Sequence, residues 1–164
     1  MKKLILLLSM LLCVIVSAKT LTDSEKREML RQFSEFQQAV RNEDAKTLVT
    51  MIKFPFEDSI PILPGDDIDP ITKQNVLDYS DLVFDFFKVL TFLNVDLSNL
   101  TVSEYTQENH SCDLNYSGKF KGNEFWIIGD WSAVYPDRLC KGGYDIKFKM
   151  VDNKLKLMEL NVRL

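Results

Sequence analysis

Histidine is nearly absent from this chain: His110 is the only one in 164 residues. Imidazole chemistry would have to rest on that position alone. Asp113 follows three residues later, but along a strand that spacing turns the two side chains to opposite faces, so an exposed turn histidine is the expectation. Cysteine is scarce as well, with three in total, and no close-spaced Cys/His set of the kind that holds a metal is present. Six glycines form no phosphate-binding loop or nucleophile elbow. There is no internal repeat, low-complexity tract or linker, so one domain is expected. The only long apolar run, Leu4 to Val16, is too short to span a bilayer and is followed by Lys19.

That run reads as an export signal. Met1-Lys2-Lys3 supplies the basic start, and Val16-Ser17-Ala18 the small residues behind which a signal peptidase cuts. Residues 1–18 are therefore expected to be removed, leaving a 146-residue domain over 19–164. Two of the 20 basic residues lie in the signal, which leaves 18 against 24 acidic ones and a net charge of −6. A periplasmic or secreted location follows, without a membrane anchor. Cys13 sits inside the apolar run after Leu11-Leu12, where lipidation is not expected. An acidic domain is a poor general binder of nucleic acid. Sequons begin at Asn99, Asn109 and Asn115, although the short Lys-Lys-Leu start is of a bacterial kind, for which they are irrelevant.

The two remaining cysteines, Cys112 and Cys140, are expected to form a disulfide in an oxidising compartment, the competing reading being a reactive or metal-binding pair.

Helical signals fill the first half. Thr22-Asp23-Ser24-Glu25 reads as a capping box, after which Leu30, Phe33, Phe36 and Val40 lay an apolar stripe along a helix to about Arg41. Asp44 caps a second, short helix carrying Leu48, Val49, Met51 and Ile52, and Phe54-Pro55-Phe56 stops it. Thr72 is a third cap, opening a segment with helical period to about Asn94 and a break near Phe84.

The second half has the period of strands. Cys112, Leu114, Tyr116 and Phe120 alternate with polar neighbours, and Lys121-Gly122-Asn123 makes a turn. Phe125-Trp126-Ile127-Ile128 is apolar on both faces, as a central strand would be. Tyr144, Ile146, Phe148 and Met150 share one face, and Asp152-Asn153 forms a tight hairpin turn. The apolar phase then slips by one between Leu157 and Leu160, which a bulge at Met158-Glu159 would absorb.

Helices followed by long antiparallel strands make an α+β fold. In the residues Phe33, Phe36, Ala39, Val40, Asp44, Leu48, Ile52 and Phe54-Pro55-Phe56, then Ile71-Thr72-Lys73, the chain resembles the NTF2-like superfamily, the cone-shaped fold related to cystatin-like proteins. The resemblance spans most of 22–164. It implies N-terminal helices packed on a curved antiparallel sheet that encloses a pocket. The group includes isomerases, dehydratases, ligand-binding modules and immunity proteins, so the fold alone selects no activity.

Several residues are candidates for chemistry. Asp130 lies in the strand with the most apolar character, where desolvation would raise its pKa and suit it as a general base. It could equally face solvent, or accept hydrogen bonds at a bulge marked by Gly129. Phe87, Trp126, Trp131 and Tyr116 would line a ligand cavity between helix and sheet, or belong to an ordinary core. Asp66-Asp67-Ile68-Asp69 lacks the alternation of a calcium loop and reads as a solvated acidic turn. No metal or cofactor is expected. Residues 42–104 hold 4 basic and 12 acidic side chains, whereas 119–164 hold 9 and 6. Lys147, Lys149, Lys154 and Lys156 share the outer face of the last hairpin, where they would deter edge pairing or meet an acidic partner.

The function expected from this pattern is an exported, non-enzymatic binding module for a small apolar ligand or a protein partner, with an inhibitor or immunity protein as one form. An isomerase- or dehydratase-like enzyme using Asp130, and a homodimeric scaffold, are the alternatives.

Overall fold

A computed structural model of the protein describes residues 21–56, 70–89, 105–106, 113–135 and 138–163. The segment expected to be a signal, the acidic Asp66–Asp69 turn, His110, Cys112 and the sequons at Asn99 and Asn109 lie outside the described residues.

Helix α1 (Asp23–Arg41) starts at the capping box expected of it. The Thr22 hydroxyl accepts from the Glu25 backbone N–H at 3.2 Å, and the Glu25 carboxylate accepts from the Thr22 N–H at 2.8 Å. Asp44 caps α2 (Ala45–Leu48) through Thr47 N–H at 3.0 Å. Thr72 begins α3 (Lys73–Asp78), again as a capping box, with Asn75 returning the bond. The break in this segment falls at Tyr79 rather than near Phe84, and α4 (Ser80–Val89) follows directly.

Among the described residues five antiparallel strands follow: β1 (Tyr105–Thr106), β2 (Asp113–Lys121), β3 (Glu124–Tyr135), β4 (Arg138–Val151) and β5 (Lys154–Arg163). They pair strictly in chain order, so β3 is central. The β4–β5 turn has Asp152 at φ 50° and Asn153 at φ 61°, the left-handed pair that a two-residue hairpin needs. The expected bulge is present: Lys147 pairs with Glu159 and Phe148 with Leu157, leaving Met158 unpaired. Leu155, Leu157 and Leu160 are all buried as a result.

The cone expected from the NTF2-like resemblance is not formed. The sheet is open and flat, ending at β1 on one side and β5 on the other, and these edges do not pair. Curving a sheet takes bulges or glycine kinks in its central strands. Here β2–β3 and β3–β4 run in unbroken register, and the described shift touches only the β4–β5 pair at the edge. The residues that carried the resemblance, such as Phe33, Phe36, Leu48 and Ile52, are core residues that any helix layer on a sheet requires.

The expected Cys112–Cys140 disulfide is likewise absent. Asp113, next to Cys112 in sequence, pairs with Ser132 of β3, whereas Cys140 pairs with Ala133 from the other side of the same strand. With β3 between them, β2 and β4 stand about 10 Å apart. A disulfide needs Cα atoms within about 7 Å.

Helices and sheet are joined by interlocked rings. Phe33 meets Phe125 at 5.2 Å and Phe148 at 5.3 Å between centroids, and Phe36 meets Phe148 at 5.2 Å and Phe87 at 5.6 Å, all edge-on. Such contacts add about 0.5–1.5 kcal/mol each beyond area burial. All five rings are fully buried. The β5 edge is partly covered, because Leu157 donates to the Met51 carbonyl at 2.7 Å and accepts from the Lys53 N–H at 3.0 Å.

Candidate functional site

The aromatic candidates that are described with their side chains do not share a pocket. Phe87 is fully buried against Phe36 on the helix side. Trp126 is half-buried and has the opposite pleat to the buried Phe125 and Ile127, so it belongs to the outer face of the sheet. Tyr116 pairs with Gly129, Trp131 with Leu114 and Gly142, and Asp130 with Asn115 and Gly143. The register therefore puts Asp130 and Trp131 four and five residues along β3 from Trp126, towards the Tyr135 end of the strand.

Around Trp126 the outer face is a built arrangement of charge. Its indole N–H donates to the Glu124 carboxylate at 2.9 Å. The ammonium groups of Lys121 and Lys147 lie 5.1 and 5.3 Å from the ring centroid, within cation–π range. Lys147 is also 4.0 Å from Glu124 and forms an ion pair with Glu159, and only 15% of its side chain is exposed. Register supplies the rest: Lys119 is beside Trp126, Lys149 beside Glu124, and Lys156 beside Lys149. Among the described residues Lys119, Lys149 and Lys154 have no carboxylate partner.

Lys149 and Lys156 are like charges directly opposite, a pairing that destabilises a sheet. Lys156 turns its ammonium to the Thr50 carbonyl, and desolvation with Lys154 nearby holds its pKa below the usual lysine range. Edge protection does not account for Lys147 and Lys149, because β4 is an interior strand.

Elsewhere a cleft of about 690 Å³ lies between the start of α1 and the two hairpin turns, lined by Leu21, Glu25, Glu28, Asn123, Met150 and Asp152. Its two glutamates are engaged. Glu25 closes the α1 cap, and Glu28 bonds Arg31 and Gln32, which lower its pKa to about 2. Among the described residues no group of three or more His, Cys, Asp or Glu side chains is placed to hold a metal. Nor is any helix among them long and apolar enough to cross a membrane.

Sequence reasoning missed Gln32, which joins α1 to the last hairpin. It is 7% exposed, accepts from Leu155 N–H at 2.6 Å and donates to the Asn153 carbonyl at 3.0 Å. The signal available was a glutamine spaced three and four residues from Met29 and Phe36 on the buried face. The Lys121–Trp126–Lys147 grouping had no such signal, since it exists only once strand register is set. No protein-family model, curated protein or solved structure matches the chain.

Proposed function

We propose that the protein is an exported, non-enzymatic binding module that recognises a protein partner through the outer face of its sheet. An inhibitor or immunity protein is the concrete form of this reading. The observation that carries it is the contrast between the two faces. The helix side is filled by Phe33, Phe36, Phe87, Phe125 and Phe148, whereas the outer side presents Trp126 among lysines. A half-exposed tryptophan beside long cationic side chains is the composition of an interface anchor.

Selection from a displayed random-peptide library tests this. Peptides enriched on the native protein and lost on Trp126→Ala are expected. If every enriched peptide binds the Trp126→Ala variant equally well, recognition through this face is refuted.

A further inference from the structure

Four lysines bracket Trp126. Lys119 and Lys121 lie on β2, Lys147 and Lys149 on β4, with Glu124 and Trp126 between them on β3. Strands are about 4.8 Å apart, and alternate residues about 6.8 Å, so the four backbone positions outline roughly 10 by 7 Å. The negative charge inside this outline is already used. Glu124 accepts from the indole and faces Lys147, and Glu159 on the far side pairs with Lys147 as well. Lys121 rests on the ring. Lys119 and Lys149 are thus left as uncompensated cations on either side of an aromatic surface, and the Lys149–Lys156 opposition adds to the excess.

We infer that this face takes an extended acidic segment of the partner, with carboxylates on alternate residues. The inference rests on the binding-module reading above. Alternate side chains of an extended chain share one side about 6.8 Å apart, so carboxylates four residues apart span about 14 Å, close to the roughly 12 Å diagonal between the Lys119 and Lys149 backbone positions. Carboxylates there would meet Lys119 and Lys149 in charge-assisted bonds and relieve the lysine repulsion, while apolar atoms of the segment cover Trp126. Nucleic acid fits less well. The chain carries a net charge of −4, and the cationic outline is small, whereas a phosphate backbone is bound through a long basic track.

The test is a titration of the isotope-labelled protein, followed by NMR, with three probes: a short synthetic peptide alternating Glu and Thr, its Gln–Thr counterpart, and an oligothymidylate of similar length. The acidic peptide is expected to shift the Trp126 indole and the Lys119 and Lys149 amides saturably. Its affinity should exceed that of the neutral peptide by about tenfold or more and fall severalfold between about 50 and 300 mM salt. The Lys119→Gln/Lys149→Gln double variant should lose about fivefold or more, with Lys46→Gln on α2 unchanged. No saturable shift, equal binding of the neutral peptide, tighter binding of the oligothymidylate, or an unaffected double variant would each overturn the inference. Library peptides that depend on Trp126 but carry no acidic residues would overturn it too, while leaving the binding-module reading standing.

Discussion

Replacing Gln32 by leucine isolates a buried side chain that ties helix to hairpin by hydrogen bonds. Gln32 accepts from Leu155 N–H at 2.6 Å and donates to the Asn153 carbonyl at 3.0 Å. Leucine has similar volume and keeps the apolar contacts, but it satisfies neither group. Asn153 is exposed, so water can replace the amide there. Leu155 is 1% exposed, and its N–H would be left buried and unpaired. That costs about 1–3 kcal/mol, and the lost bond to Asn153 adds a fraction more. A net loss of about 2 kcal/mol is expected, or roughly 6 °C in Tm for a domain of this size. Gln32→Glu should fall in between and depend on pH. The introduced carboxylate can accept from Leu155 but cannot donate to Asn153, and it sits beside Glu28. Burial and that neighbour raise its folded pKa above the unfolded value, so the penalty is largest near neutrality and shrinks as pH falls. Urea denaturation measures both effects, and hydrogen exchange of the Leu155 amide localises them. A Gln32→Leu variant within about 0.5 kcal/mol of the native protein, with Leu155 protection unchanged, would refute the reasoning.

Gly143→Ala is expected to cost about 1–3 kcal/mol, because its Cβ would fall on the Gly129 carbonyl oxygen and the Arg163 guanidinium. A Tm equal to the native value would show that β3 and β4 do not approach so closely. Acid should weaken the start of α1. Hydrogen bonds from Arg31 and Gln32 hold the Glu28 carboxyl at about 2, below its usual 4.5, so its stabilising share is present above pH 4.5 and lost as pH falls towards 2. Glu28→Gln should flatten the stability profile in that window, and an unchanged slope on acid titration would contradict this.

Local features were the legible part of the sequence. Thr22, Asp44 and Thr72 each cap a helix, because a cap depends on residues three positions apart and on nothing distant. The slip between Leu157 and Leu160 located the bulge, since pleating ties phase directly to burial. The curvature of the sheet was not legible in the same way. Phe33, Phe36 and Leu48 pack identically under a cone or an open meander, so they support a helix layer without specifying closure. The expected disulfide failed for a related reason. Composition places Cys112 and Cys140 in an oxidising context, but only pairing order reveals that β3 runs between β2, which begins at Asp113, and β4, which holds Cys140. Of the candidate site, the sequence located the outward lysines Lys147 and Lys149. It could not place Trp126 between Lys121 and Lys147, which are separated from each other by the whole β3 strand and a hairpin.

The bulge at Met158 links the fold to this face. Were Met158 paired instead of bulged out, Lys147 would oppose Met158, and Glu159 would turn with Leu155 and Leu157 towards the buried side. With the bulge, Leu160 returns to the core and Glu159 meets Lys147 on the outer face. Lys147 is thereby held between Glu124, Glu159 and the Trp126 ring, with both nearby carboxylates engaged on it. Lys119 and Lys149 stand outside that arrangement, and nothing in the described fold neutralises them. Bulging Met158 out of the ladder on an edge strand thus protects the core and also decides which lysines remain for an acidic partner. Deleting Met158 should leave Glu159 opposite Lys147 and Leu160 opposite Ile146 in a regular strand, so both the core and outer-face binding are expected to survive in that variant, as urea denaturation and peptide titration would show.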